Sequence, residues 1–497
     1  MASLLQITYF SRPRSNTYPP AVHSPNYRRK VCQKQRYEYS YPAGRMPRDI
    51  WEEIFLHCLA TPPDSNTPVC NREPRPRRDL FAPLLFLQVC RAWRKVALSF
   101  PDLWASLSVV VRRGQAFPPV DVASDWLQRS GDLPLALSLY QSNESEGDQE
   151  VADDVLALYM RYITRWRDVR LDIANPTYGR SLQPSEDLHA PLLEAFHLTT
   201  CWRLTPNEEI IQDLLKMLEA APMLSRFSVS RLSDLNVSPT STVAIPWTQL
   251  TRLDLGFIPS VSACLSLMSG CPNLTSCSLV IDPQAGPLPS ISIVLPALTS
   301  LELHIRDEEL AALLDCSIFP ALKDITLYVH DAYDGHGQWP PMSFMGFLSR
   351  SKCTLVRLEV HDTGMLPEQF IACLEHEAVR GIVELVVHDS RDWTWDPLIT
   401  PCLLQLLTIP DGATDEDAHA LPALKVLELG KGCWTCPSGL MSDMVESRWR
   451  TTGCGVARLE RVILDLHLFE DLYGHDHIRL EKLREEGMKV RLGCYHD

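Results

Sequence analysis

Leu250-Thr251-Arg252-Leu253-Asp254-Leu255, Leu274-Thr275-Ser276-Cys277-Ser278-Leu279, Leu298-Thr299-Ser300-Leu301-Glu302-Leu303 and Leu322-Lys323-Asp324-Ile325-Thr326-Leu327 are four hexads that begin 24 residues apart. Each reads apolar-x-x-apolar-x-apolar. The last two apolar residues alternate with polar ones, as on a strand buried on one face. The pattern continues at Leu355-Leu358-Val360, Ile382-Leu385-Val387, Leu404-Leu407-Ile409, Leu424-Leu427-Leu429 and Leu459-Val462-Leu464. Upstream copies are Trp166-Val169-Leu171, Leu193-Phe196-Leu198 and Leu224-Phe227-Val229. A unit recurring about every 27 residues is the signature of a stacked repeat, in which each unit buries its apolar face only against its neighbours.

Helical patterns lie between the strands. Thr205-Pro206-Asn207-Glu208 is a capping box with proline at the first helical position, followed by an apolar stripe through Leu218. Val261 to Gly270, Glu308 to Leu314 and Pro367 to Leu374 read likewise. Strand then helix, repeated, predicts an α/β solenoid whose parallel sheet curves into a horseshoe over 161–497. This array resembles leucine-rich repeats. It departs from them eight positions after the first Leu, where the family carries Asn or Cys. Ile258, Asp282, Arg306, His330, Thr363 and Gly432 stand there. Wider spacings predict long loops near 331–344 and 431–450. A less regular open α/β domain is the alternative.

Stacking gives equal offsets a meaning. Six positions after the first apolar residue of four successive units stand His304, Tyr328, His361 and His388. Two positions earlier stand Glu302, Thr326, Glu359 and Val386. Parallel strands about 4.8 Å apart place equal offsets in rows. Both rows therefore line the concave face. A solvated polar face is one reading. A patch that recognises a protein segment, built from His304, Tyr328, Glu359, His361 and His388, is the other.

The N-terminal region is different material. Met46-Pro47-Arg48-Asp49-Ile50-Trp51-Glu52-Glu53-Ile54-Phe55-Leu56-His57-Cys58-Leu59 reads as a helix with proline near its start, where an unpaired N–H costs nothing. A proline- and arginine-rich insertion follows at about 61–82. Apolar pattern resumes through Leu98, with Val89, Trp93, Val96 and Ala97 on one helical face. Pro101-Asp102-Leu103-Trp104 breaks it. Three short helices make a thin core, and a unit this small often leans on a partner.

These residues resemble the F-box, and in their long insertion the large F-box families of mushroom-forming fungi. The resemblance rests on Pro47, Asp49 and Ile50, on Ile54-Phe55, on Val89-Cys90-Arg91-Ala92-Trp93-Arg94-Lys95-Val96-Ala97 and on Pro101-Asp102-Leu103-Trp104. Met46 replaces the family Leu and Asp49 the family Glu. The resemblance implies docking onto the adaptor subunit (S-phase-kinase-associated family) of SCF-type ubiquitin ligases, and through it onto cullin. Carried over residue by residue, the contacts fall on Met46, Pro47, Ile50, Ile54, Phe55, Val89 and Trp93. Some of these must instead pack the module's own core.

Composition bounds the rest. The 497 residues carry a net charge of −15. Residues 1–45 hold eight Lys/Arg against Glu38 alone, a charge of +7, so the remainder carries −22. An acidic body argues against nucleic acid as partner, because phosphates are met with Lys and Arg. No run of 18 apolar residues suggests a membrane span. Residues 1–44 read as a disordered basic tail, with a nuclear address (Arg28-Arg29-Lys30) and a mitochondrial transit peptide as alternatives. The 16 cysteines follow no disulfide spacing and point to a reducing compartment, cytoplasmic or nuclear. Gly-x-Ser-x-Gly, Walker and His-Glu-x-x-His motifs are absent. Cys433 and Cys436, with Cys454, His475 and His477, could hold zinc, though loop and core cysteines are the simpler reading.

The sequence thus predicts four parts: the tail, a small all-α module at 45–107, a linker and cap at 108–160, and the repeats at 161–497. No metal or cofactor is expected. The expected function is substrate recognition for an SCF-type ligase, without catalysis. A repeat scaffold with no ubiquitin role is the alternative.

Overall fold

The computed structural model describes residues 46–59, 82–142, 147–173, 189–200, 217–230, 245–281, 291–330, 339–388, 398–410, 412–414, 419–430, 437–450, 455–464 and 474–493. The chain divides into two compact units, Met1–Trp51 and Glu52–Asp497. The first is described over residues 46–51. There Met46 and Pro47 lead into helix α1 (Arg48–His57), whose first turn is closed by the Trp51 N–H donating to the Pro47 carbonyl. The tail expected over 1–44 and the insertion between 60 and 81 lie outside the described residues.

The second unit opens with the remainder of α1 from Glu52 and continues with α2 (Ala82–Val89) and α3 (Arg91–Leu98). The single face expected through Val89 and Trp93 is broken between these helices. Cys90 is extended and caps α3, its sulfur accepting from the Trp93 N–H at 3.5 Å. The packing here is aromatic. Phe55 stacks on Phe86 at 4.3 Å, and Trp93 meets both rings edge-on at 5.2 and 5.9 Å. A 3-10 turn, Pro101–Trp104, then buries Trp104. The Trp104 indole donates to the Ala97 carbonyl at 2.7 Å and packs edge-on against Trp126. Trp126 in turn donates to Ser106 at the start of the first strand. Two tryptophans thus tie the last helix of the module to the sheet.

The sheet runs through β1 (Ser106–Arg112), β2 (Gln115–Phe117), β3 (Leu135–Gln141), β4 (Trp166–Ile173), β5 (Ala195–Thr200), β6 (Arg226–Ser230), β7 (Arg252–Ile258) and β8 (Ser276–Ile281). After a short strand β9 (Ile293–Val294) it continues with β10 (Ser300–Arg306). A second short strand, β11 (Ser317–Ile318), pairs with β9 alone. Then come β12 (Asp324–His330), β13 (Arg357–His361), β14 (Glu384–His388), β15 (Val426–Leu429), β16 (Arg461–Leu464) and β17 (Lys489–Leu492). Among the described residues fifteen strands form this one sheet, and their order follows the chain from β3 to β17. All pairings are parallel except that of the edge strand β2 with β1. A parallel-dominated sheet of many strands with helices between them is compatible with an α/β solenoid.

The hexad supplies the reason. Its second and third apolar residues, such as Leu253 and Leu255, Leu301 and Leu303, or Leu358 and Val360, point to one face and are buried. Burying each such side chain stabilises the fold by about 1.5–3 kcal/mol. The first apolar residue, as in Leu250, Leu274 and Leu298, turns the chain into the strand and is fully buried. Thr251, Thr275 and Thr299 follow it. Each hydroxyl donates to the carbonyl one unit back, at 2.9–3.1 Å. The helices between strands cover the apolar face. They include α4 (Val120–Arg129), α5 (Gly147–Met160), α6 (Val261–Ser269), α7 (Asp307–Asp315), α8 (Pro341–Ser351) and α9 (Pro367–Glu375).

Several expectations change. Residues 108–160, read as linker and cap, hold β2, β3 and most of β1, so the sheet begins at Ser106. Leu404-Leu407-Ile409, read as a strand, belongs largely to helix α10 (Pro401–Leu407). Thr400 caps it with proline at the next position, and Leu403, Leu404 and Leu407 form a helical stripe that also fits the hexad. Of the long loops expected near 331–344 and 431–450, residues 331–338 and 431–436 lie outside the described residues, and helices begin within the described parts, α8 at Pro341 and α11 (Leu440–Arg450) at Leu440. Buried Arg448 of α11 donates to the carbonyls of Leu407, Ala420 and Leu421, closing the end of α10. The capping-box segment 205–216 lies outside the described residues. Where the repeat family carries Asn or Cys, Thr363 is buried with its hydroxyl unpaired among the described residues. The turn there is held instead by the Asp362 N–H donating to the His388 carbonyl.

The buried rows make a chemical prediction. Burial pushes the Cys264, Cys271 and Cys373 thiols up to about 12, while Cys58, Cys90 and Cys402 are exposed. Alkylation of the native protein at pH 8, mapped by mass spectrometry, should modify the exposed three and spare the buried three. Equal labelling of both sets would contradict the packing.

Candidate functional site

The face opposite the helices carries the rows expected from the repeat offsets. In the pairing register His304 meets Tyr328, Tyr328 meets His361 and His361 meets His388. The four rings form one stack. Centroids are 4.0, 4.0 and 4.7 Å apart, with interplanar angles of 6°, 17° and 8°. Strand spacing sets this distance, because neighbouring backbones already hold the side chains at about van der Waals contact. The rings are half-buried, so their edges face solvent.

Each imidazole is held from the neighbouring row. His304 Nε2 lies 3.1 Å from Glu302 Oε1, and His361 Nε2 lies 2.7 Å from Glu359 Oε1. His388 reaches across instead, to Glu428 Oε1 on β15 at 3.0 Å. Val386, two positions before His388, has no carboxylate to offer, and Gly430 gives the ring room to turn. The glycine follows β15 at the ring offset of its own unit and offers no fifth ring. A methyl group there would lie 2.2 Å from His388 Nδ1, so the His388 ring occupies the vacant position.

Glu359 is the most heavily engaged carboxylate. Its second oxygen accepts from Arg357 at 2.6 Å and from the Thr326 hydroxyl at 3.2 Å. Burial alone would raise its carboxyl. The hydrogen bond from His361, the charges of Arg357 and His361, and the Thr326 hydroxyl together hold it below the usual carboxylate range. Asp254, at the same offset on β7, goes the other way. Burial and the charge of Glu302 push it up, against the pull of Ser228, Arg252 and His304.

The structure therefore brings together His304, Tyr328, Glu359, His361 and His388. It adds Glu428, Asp254 and Gly430, which sequence reasoning passed over. The signal for them was present: Asp254 and Glu428 stand four positions into their hexads, as Glu302 and Glu359 do, and Gly430 stands at position six. His330, one step beyond the stack, has its side chain outside the described set.

The helical segments hold the second group of residues. Phe55 is fully buried and belongs to the aromatic core, and Trp93 is half-buried against Phe55 and Phe86. Ile54 is half-buried and Pro47 exposed. Met46, Ile50 and Val89 keep 37%, 46% and 57% of their surface in water. Leu85, not anticipated, is 53% exposed.

Cys433, Cys436 and Cys454 lie outside the described residues, and among those described no cluster of His, Cys, Asp and Glu could hold a metal ion. Among the described residues no helix is long and apolar enough to cross a membrane. No family model matches the chain, and no curated protein matches it.

The fit of His388 over Gly430 gives a direct test. Gly430→Ala should force the ring out of the stack and cost about 1–3 kcal/mol, the range for overpacking. In the His388→Ala background the same change should cost much less. Denaturant titration of the two single variants and the double measures the coupling. Additive effects would show that the ring does not rest there.

Proposed function

We propose that the chain is a non-catalytic receptor of F-box type. Its helical segments dock the adaptor of an SCF-type ubiquitin ligase, and its sheet presents a protein target. The observation that carries the first half is the exposure of large apolar side chains on short helices, Ile50 on α1 in the first unit and, separately, Leu85 and Val89 on α2 in the second. A small module that leaves large apolar side chains in water is suited to a partner's apolar groove. Binding energy in such an interface concentrates in a few large side chains. Phe55 and Trp93 are then support rather than contact, since they pack on each other and on Phe86.

The second half rests on the ring stack. Its edges, with the carboxylates beside them, give a rigid polar and aromatic strip across four strands. Ordered side chains lose little entropy on binding, which favours recognition of an extended segment. A receptor of this kind acts by proximity, holding a target lysine near an activated thioester carried by other subunits. The same strip also suits a scaffold with no ubiquitin role, and the adaptor decides between the two.

Ile50→Asp and Val89→Asp place a charge at exposed positions, so the variants should melt like the wild type. Each should weaken capture of the adaptor at least tenfold in a pull-down or titration. Adaptor binding equal to wild type in both would contradict the docking assignment. No binding by the wild type would leave the scaffold reading.

A further inference from the structure

The charge on the open face is uneven. From β7 to β15 it carries Asp254, Glu302, Asp324, Glu359, Glu384 and Glu428 against Arg252, Arg306 and Arg357. Most of these acids are already engaged. Arg357 sits between Glu359 and Glu384, at 2.6 and 3.7 Å, and Arg461 also reaches Glu384. Glu428 holds His388.

One stretch differs. Asp254, Ser278 and Glu302 are successive partners on β7, β8 and β10, so Ser278 lies between two carboxylates. Among the described residues, hydrogen bonds engage one oxygen of each: Asp254 Oδ2 with Ser228 at 3.0 Å and Glu302 Oε1 with His304 at 3.1 Å. Asp254 Oδ1 and Glu302 Oε2 remain for a ligand. The two strands stand about 10 Å apart across β8, twice the strand spacing, a gap that a lysine or arginine head can enter. Val280, paired with His304 one step further along β8, offers apolar surface to the stem of such a side chain. The ring stack begins at His304 and continues away from this seat.

We propose that the open sheet face binds a basic segment of the target protein, with one lysine or arginine seated over Ser278 between Asp254 and Glu302 and the neighbouring residues lying along the ring stack. This rests on the reading of the face as the target-binding surface and adds the chemistry of the target. Charge complementarity selects the occupant. A cation in the seat bridges two carboxylates that otherwise repel; burial chiefly, and the charge of Glu302 with it, raise Asp254 against the pull of Ser228, Arg252 and His304. An acidic or phosphorylated segment would add negative charge to a face already in excess of it.

The test uses the full chain and fluorescent arginine-glycine, lysine-glycine and glutamate-glycine repeat peptides, read by anisotropy. The basic repeats should bind, more weakly as salt rises. Asp254→Asn with Glu302→Gln should weaken them at least tenfold, while Glu368→Gln, on the exposed start of α9, should not. Thermal melting of each variant confirms that it stays folded. Failure of the basic repeats to bind, equal binding of the acidic repeat, or indifference to the double variant would each overturn the proposal. If the acidic repeat binds and is lost on Tyr328→Ala but not on the carboxylate variants, the basic-segment inference falls and the target-binding face stands. Adaptor capture from the same preparation reports on the docking half separately.

Discussion

In-register parallel pairing is the constraint on which everything else depends. Once one hexad is fixed beside the next, every offset within the unit becomes a row across the sheet. Leu253, Cys277, Leu301, Ile325 and Leu358 form one buried row. Thr251, Thr275 and Thr299 form a hydroxyl ladder that reinforces the backbone ladder beside it. The ring stack arises in the same way, from strand spacing and from four rings at one offset. A single unit has none of these rows, so stability and site are both products of stacking.

Much of this was legible before the structure, because the hexad is specific. Its period fixed the strands between Trp166 and Leu464, and its alternation fixed which side chains face out. The misreadings share a cause. Leu404-Leu407-Ile409 satisfies the hexad and a helical stripe equally, and only the Thr400-Pro401 start favours the helix. The early strands β1 and β3 do not carry the full hexad. β1 reads Leu107, Val109 and Val111 in simple alternation, so a search for the repeat passes over it. Glu428 and Asp254 share the offset of Glu302 and Glu359 but belong to units that carry no ring, Gly430 and Gly256 standing at the ring offset, so the row of rings does not mark them.

The division between core and surface in the helical segments was not legible. Phe55, Val89 and Trp93 have similar character in a sequence. Three-dimensional packing separates them: Phe55 and Trp93 close on Phe86, and the break at Cys90 leaves Val89 in α2 and exposed. A small module cannot bury all its apolar side chains. What it leaves out is what it can offer to a partner, which is the physical basis of the docking assignment.

The claim that strand register builds the ring stack underlies the account of the site, and ring-proton NMR with labelled histidine and tyrosine measures it most directly. Tyr328 lies between His304 and His361, so its protons should show cross-peaks to both imidazoles. Its ring current should also shift their signals, and Tyr328→Leu should abolish those shifts while leaving distant histidines such as His475 unchanged. Cross-peaks to neither imidazole, or shifts indifferent to the loss of the Tyr328 ring, would contradict the register and the strip built on it.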